Sequence, residues 1–338
     1  VDNLTHTLTA VALSHAGLNR KTRFATLTLI AAANLPDLDL ISRLWGSATY
    51  LKYHRGYTHS ILGVSLLAIV LGGAIYLFGR KAKPKSGAPL SLGWLLILAW
   101  IGTASHLLMD FTNSYGVRPF LPFSARWYAW DIMYIFDPLL LVLLCLGLGL
   151  PTLLRLVSEE VGARKSRPAW GAVFALCALV FLWGLRDVAH RRVLGFLESH
   201  IYSEQAPLRV GAFPSPMNPF EWTGVIETDT AYDVLPANAL DDDVDLRSAQ
   251  QFHKPAASAA LDAALKTRTG VIFMDFARFP WAKTEENDEG FNVEIGDLRF
   301  YTNYGDRRFV VEIEMDKSLR VRSESFSFSA SDHSEPMR

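Results

Sequence analysis

The sequence predicts a mainly α protein. A polytopic transmembrane helical domain occupies residues 1–186, and an extramembrane α+β domain built on an antiparallel sheet occupies residues 187–338. Three observations predict it. Half of the 338 residues are hydrophobic and the mean hydropathy is +0.16, more apolar than an ordinary soluble protein. The long apolar runs are confined to the first 186 residues. Beyond them come short alternating runs broken by proline, glycine and aspartate, the pattern of half-buried strands.

Taken in order, residues 4–18 read as a helix, the turn 19–23 is basic, and Phe24 to Asn34 form a second apolar helix stopped by Pro36. Both helices are short for a span of about 20 residues. They read as a tilted or partly inserted hairpin. Asp37-Leu38-Asp39-Leu40 reads as extended, with both aspartates on one side. Ile61 to Gly79 is an uncharged apolar run and a clear span; Leu90 to Met109, Ile132 to Leu150 and Ala169 to Leu185 supply three more. The loops 80–85 and 155–167 are charged. The aromatic segment Phe111 to Trp130 suits a headgroup belt. An amphipathic stretch, Val188 to Tyr202, leads to Pro214, Pro216 and Pro219. Strands are expected at 221–228, 270–279, 291–303 and 307–315, with one helical piece from Ala256 to Leu265.

Net charge is −1, which gives no overall basic field for nucleic acid. The only cysteines, Cys145 and Cys177, each lie in an apolar run and read as small buried hydrophobes. The opening residues, Val1 to His6, show neither a basic n-region nor a small-residue cleavage site, so no cleavable signal peptide is expected among them.

The polar groups stand at the ends of apolar runs. His54-Arg55-Gly56-Tyr57-Thr58-His59-Ser60 places two imidazoles and a guanidinium directly before the run that begins at Ile61. On a continuous helix the two rings would point about 140° apart. A turn at Gly56, with Thr58 capping a helix that carries His59, would let them converge. His106 and Asp110, at i and i+4, share one helix face. Ionisable groups at membrane depth are costly and mark function. With His6, Asp37 and Asp39 they make four histidines and three carboxylates. Threading the helices back and forth puts all seven opposite the basic loops, and the positive-inside rule makes that face exoplasmic. His15 falls at the other end of its helix. Asp131 and Asp137 stand as outlying candidates.

We read the seven as one metal site with His6, Asp37, Asp39, His54, His59, His106 and Asp110 as ligands. Imidazole mixed with carboxylate suits one or two Zn²⁺ ions, with Mn²⁺ or Fe²⁺ as substitutes. Arg55, His54 and Asp110 are the expected catalytic residues, Arg55 by holding an anionic group.

The motifs Asp2-Asn-Leu-Thr-His6, Asn34-Leu-Pro-Asp-Leu-Asp39, His54-Arg-Gly-Tyr-Thr-His-Ser60 and His106-Leu-Leu-Met-Asp110 resemble those of a bacterial inner-membrane family of metal-dependent hydrolases, described as LexA-regulated. The resemblance covers about residues 1–190. It implies an inner-membrane hydrolase distantly similar to zinc-dependent phospholipase C. A membrane lipid or lipid-linked phosphoester is the expected substrate. The alternative is a metal-ion or proton transporter using the same cluster, although such sites usually lie between internal repeats at the bilayer midplane and no repeat is seen here.

Overall fold

The computed structural model describes the chain except residues 83–87, 161–168, 203, 302–308 and 329–338, and except the side chains of 152 and 155–160. Most of the two charged loops therefore lies outside the described residues. The fold class is the expected one. The chain divides into two compact units: Val1–Asp39, Arg55–Asp187 and Pro216–Pro219 form the first, and Leu40–His54, Val188–Ser215 and Phe220–Arg338 the second. The segment Leu40–His54 thus groups with the C-terminal half, where the sequence boundary had placed it in the first domain.

In the first unit α1 (Asn3–His15) starts at Asp2, whose carboxylate accepts from the Thr5 amide at 3.0 Å. The second helix, α2 (Ala25–Asn34), follows Phe24 in the left-handed region, and Pro36 stops it. The 3-10 helix Pro36–Trp45 comes next, so the expected extended Asp37–Leu40 segment is corrected. Proline pre-sets a first helical turn, and Leu38, Ile41 and Leu44 repeat every third residue as such a helix requires.

Two long helices, α4 (Ile61–Lys81) and α5 (Leu92–Phe111), pack on α2 through small residues. A Cβ on Gly102 would stand 2.5 Å from the Ala32 Cβ, and one on Gly72 3.0 Å from Leu96. Ser60, not Thr58, caps α4, accepting from the Gly63 amide at 2.9 Å. A Cβ on Gly63 would meet the Tyr57 carbonyl oxygen at 1.8 Å, so the capped turn needs glycine there. Residues 132–137 are not helical; α6 runs Pro138–Glu160. It meets α7 (Trp170–Ser199) where Gly147 faces Ala175. Among the described residues three helices, α4, α5 and α7, are long and apolar enough to cross a membrane, and Pro138–Pro151 is a shorter apolar helix. Leu66, Ile69, Val70, Leu77 and Phe78 of α4 are exposed, as lipid-facing residues are. Cys145 and Cys177 are exposed too, which corrects their reading as buried thiols.

The second unit holds the short helix α3 (Ser47–Tyr53) and two four-stranded antiparallel meanders. The first contains β1 (Arg209–Pro214), β2 (Glu221–Glu227), β3 (Ala231–Asn238) and β4 (Gln250–His253); the second contains β5 (Pro280–Asn287), β6 (Gly290–Asp297), β7 (Val310–Asp316) and β8 (Val321–Ser327). Between β4 and β5 along the chain come α8 (Ala259–Leu265) and α9 (Arg268–Phe276). The run 270–279, expected as a strand, is largely α9. Thr267 accepts from the Gly270 amide, and the buried face is Thr269, Gly270, Phe273 and Phe276, a helical spacing that outweighs the β-like composition. The amphipathic stretch from Val188 is no separate element either. It continues α7 to Ser199, and Val193 and Leu197 share a core with Trp222, Ile226 and Leu235.

Candidate metal centre

The centre lies in the first unit, where three segments meet. The 3-10 helix brings Asp37, the 3-10 turn Tyr57–His59 brings His59, and the end of α5 brings His106 and Asp110. All four are buried, and one donor atom from each lies within 4.8 Å of the others. His59 Nε2 stands 3.0 Å from His106 Nε2, 3.5 Å from Asp37 Oδ1 and 3.3 Å from Asp110 Oδ2. His106 Nε2 is 3.5 Å from each of the same two oxygens. A regular tetrahedron with about 2.0–2.1 Å from centre to corner has edges of about 3.3–3.4 Å. The five edges therefore match the cage of a four-coordinate zinc-type ion.

The far sides of the two rings say which nitrogens face that cage. His106 Nδ1 is 2.7 Å from the Ala33 carbonyl oxygen, which can only accept. His59 Nδ1 is 3.2 Å from Asp39 Oδ2 and 3.0 Å from Thr58 Oγ1. With both Nδ1 atoms protonated and donating outward, both Nε2 atoms turn lone pairs inward. Two lone pairs at 3.0 Å repel unless a proton or a cation lies between them. Asp110 Oδ2, on the same cage, has no hydrogen-bond partner. The donor set and its spacing fit a divalent ion.

Electrostatics agrees. Burial opposes a charge on His59, but Asp110, Asp37 and Asp39 outweigh it and raise its pKa to about 10. Burial would likewise raise the Asp37 carboxyl, yet His106 and His59 hold it well below its usual range. The cage thus favours positive charge at its centre, from protons or from a metal.

Around the four, the other expected residues take different places. Asp39 Oδ2 accepts from the Thr58 hydroxyl at 2.7 Å and the Arg55 amide at 3.0 Å, besides facing His59. Its place is behind the ring it orients. His6 stacks on His106 with ring centroids 3.9 Å apart, and its Nε2 is 3.4 Å from Asp110 Oδ1. Neither His6 nitrogen has a hydrogen-bond partner.

Arg55 is buried, and it, not Gly56, takes the left-handed conformation, with φ of 56°. Its guanidinium donates to Asp110 Oδ1 at 2.9 Å, to Asn113 Oδ1 at 2.9 Å and to the Gly116 carbonyl at 3.4 Å. This differs from the expected arm that holds substrate: two of its nitrogens are already committed. His54 belongs to the second unit and stacks on Tyr50 at 4.5 Å. Asp137 pairs with Arg186 at 2.8 Å, Asp131 has a left-handed backbone with φ of 60°, and neither belongs to the four. Sequence reasoning missed Asn113, whose signal is its place three residues beyond Asp110, and it misassigned Thr58.

Helices able to span a membrane and a buried His/Asp cage able to hold a metal ion define a membrane protein with a candidate metal centre. Residues 1–190 match the family model for the YdjM inner membrane protein, and the chain belongs to that family. It is also 32% identical over 136 residues to the uncharacterized protein YfhP of Bacillus subtilis (strain 168), a match covering 40% of this chain. The chain spans 38% of the length of that curated relative. No solved structure matches.

Proposed function

We propose that the chain is a membrane-bound, metal-dependent hydrolase acting on a phosphoester or lipid-linked substrate. The observation that carries this reading is the buried cage of two imidazole nitrogens and two carboxylate oxygens, with edges of 3.0–3.5 Å, at the end of a candidate span. Asp37, His59, His106 and Asp110 would hold a Zn²⁺ ion, or Mn²⁺ or Fe²⁺ in its place, which would supply Lewis acidity and lower the pKa of a bound water.

The chain's own residues do the rest. Asp39 and the Ala33 carbonyl fix the two rings, each through its Nδ1. Arg55 neutralises Asp110 at Oδ1 and leaves Oδ2 to the cage. His6, whose Nε2 pairs with Asp110 Oδ1 at 3.4 Å and whose Nδ1 has no hydrogen-bond partner, is the residue we assign to accept a proton from an attacking water. A hydrolase near a lipid boundary meets amphiphiles first, which favours a lipid-linked phosphoester.

The test is turnover of a phospholipid and phosphodiester panel by purified protein, before and after chelation and after adding back Zn²⁺ or Mn²⁺. We expect metal-dependent cleavage that His106→Ala abolishes; cleavage unaffected by chelation, or none across the panel with metal bound, refutes the proposal. The basic turn and loops point to an exoplasmic site. With Cys145 and Cys177 replaced by serine, a cysteine at Ser124 should react with an impermeant thiol reagent in intact cells and one at Lys81 should not; the opposite pattern moves the site to the cytoplasm.

A further inference from the structure

The 3-10 helix Pro36–Trp45 has an outer line of side chains that the metal centre does not use. Leu38, Ile41 and Leu44 follow one another every third residue, and in a helix of about three residues per turn they stack in one ridge. They are 65%, 61% and 79% exposed, and Trp45 at the helix end is 67% exposed. Asp37 and Asp39 lie on the two lines flanking the ridge, each about 120° from it. Both reach His59, Asp37 at 3.5 Å and Asp39 at 3.2 Å. The two carboxylates at the start of this helix thus reach the buried centre, and Leu38, on the third line between them, is exposed.

The start of this helix lies beside His59, with Asp37 Oδ1 3.5 Å from the ring. The span α4 begins two residues after His59 at Ile61, and Ile61 and Leu62 are 49% and 53% exposed. Asp37 therefore stands next to the residue that leads into the exposed apolar surface of α4. An amphipathic helix that starts there, with branched apolar side chains on one line and tryptophan at its end, has the composition of an interfacial element.

We propose that the Pro36–Trp45 helix lies in the membrane interface with the Leu38–Ile41–Leu44 ridge immersed in the acyl chains of one leaflet. The occupant of the ridge is lipid, and the immersion holds Asp37 at headgroup level. This goes beyond the hydrolase reading and does not depend on it.

The test uses full-length protein in phospholipid nanodiscs, with Cys145 and Cys177 replaced by serine. An environment-sensitive fluorophore is attached in turn to Leu44→Cys, Ile41→Cys and the off-ridge Arg43→Cys. We expect blue-shifted emission at positions 44 and 41, quenched by lipids carrying a doxyl group near the headgroup and not by aqueous iodide, with iodide quenching at 43. Iodide quenching at 44 and 41 equal to that at 43 overturns the proposal. Protection from both quenchers overturns it too, because a protein surface then covers the ridge. Two ridge positions guard against one substitution disturbing the fold. Neither metal nor turnover enters the measurement, so its failure is distinct from failure of the hydrolase reading.

Discussion

Replacing His59 with alanine removes one corner of the cage, and comparing it with Asp39→Asn separates a coordinating group from the group that orients it. Tight four-ligand zinc sites bind with an apparent 10–16 kcal/mol or so near neutral pH. One corner of four then carries about 2.5–4 kcal/mol, a loss of roughly 10²–10³-fold in affinity when it is deleted. Asp39 contributes no atom to the four. Its Oδ2 fixes His59 at Nδ1 and is itself held by Thr58 and Arg55. Losing such an outer partner typically costs about 10–100-fold. The assay is competition for Zn²⁺ against a chromogenic chelator in detergent solution, with circular dichroism to confirm the helical fold. His59→Ala should weaken binding more than Asp39→Asn, and both should bind less tightly than the parent. Parental affinity in His59→Ala, or a larger loss in Asp39→Asn, would refute the assignment of corner and support.

Metal uptake should release protons. The His59 pKa, raised to about 10, means that chelator-treated protein carries a proton there at neutral pH, and coordination through Nε2 must displace it. Calorimetry in buffers of different ionisation enthalpy should find about one proton released per ion, with Zn²⁺ affinity rising as pH increases from 7 to 9. The same shift stabilises the metal-free fold: the contribution is complete below the ordinary histidine pKa near 6.5 and is lost as pH rises through about 10. Arg55→Ala should leave Asp110 buried without its guanidinium partner and cost the metal-free protein roughly 3–5 kcal/mol. Added Zn²⁺ should recover part of the loss in a thermal-unfolding assay, since a cation restores the missing charge. In the second unit, Leu197→Ala should destabilise by about 2–5 kcal/mol. A fragment of residues 203–338 should unfold at lower temperature than one of 188–338, because it lacks Val193 and Leu197 from the shared core.

Helices declared by long apolar runs were legible from sequence: α4 and α5 lie within two residues of their expected bounds, because uninterrupted apolar residues of that length have few other conformations. The Asp37–Asp39 segment was not. Its alternation of aspartate and leucine fits a strand, and only the continuation through Ile41 and Leu44 reveals the period of three. The run 270–279 misled for the opposite reason: its valine, isoleucine and phenylalanine suit a strand, but the Thr267 cap and the Phe273–Phe276 face stabilise a helix. At the centre, residue types pointed to the group, yet the division of labour within it was invisible. Nothing in the spacing distinguishes Asp37, which faces the cage, from Asp39, which stands behind His59. Arg55 likewise reads as an anion clamp until Asp110, 55 positions along the chain, is found 2.9 Å from it.

The central claim is that the four residues Asp37, His59, His106 and Asp110 hold one divalent ion. Elemental analysis of purified protein, equilibrated with Zn²⁺ and desalted, tests it most directly when the parent and a His59→Ala, His106→Ala double variant are measured side by side. The account predicts tightly held zinc in the parent and its loss in a double variant that keeps its helical content. Equal zinc in the two proteins, or none in the parent, would contradict it.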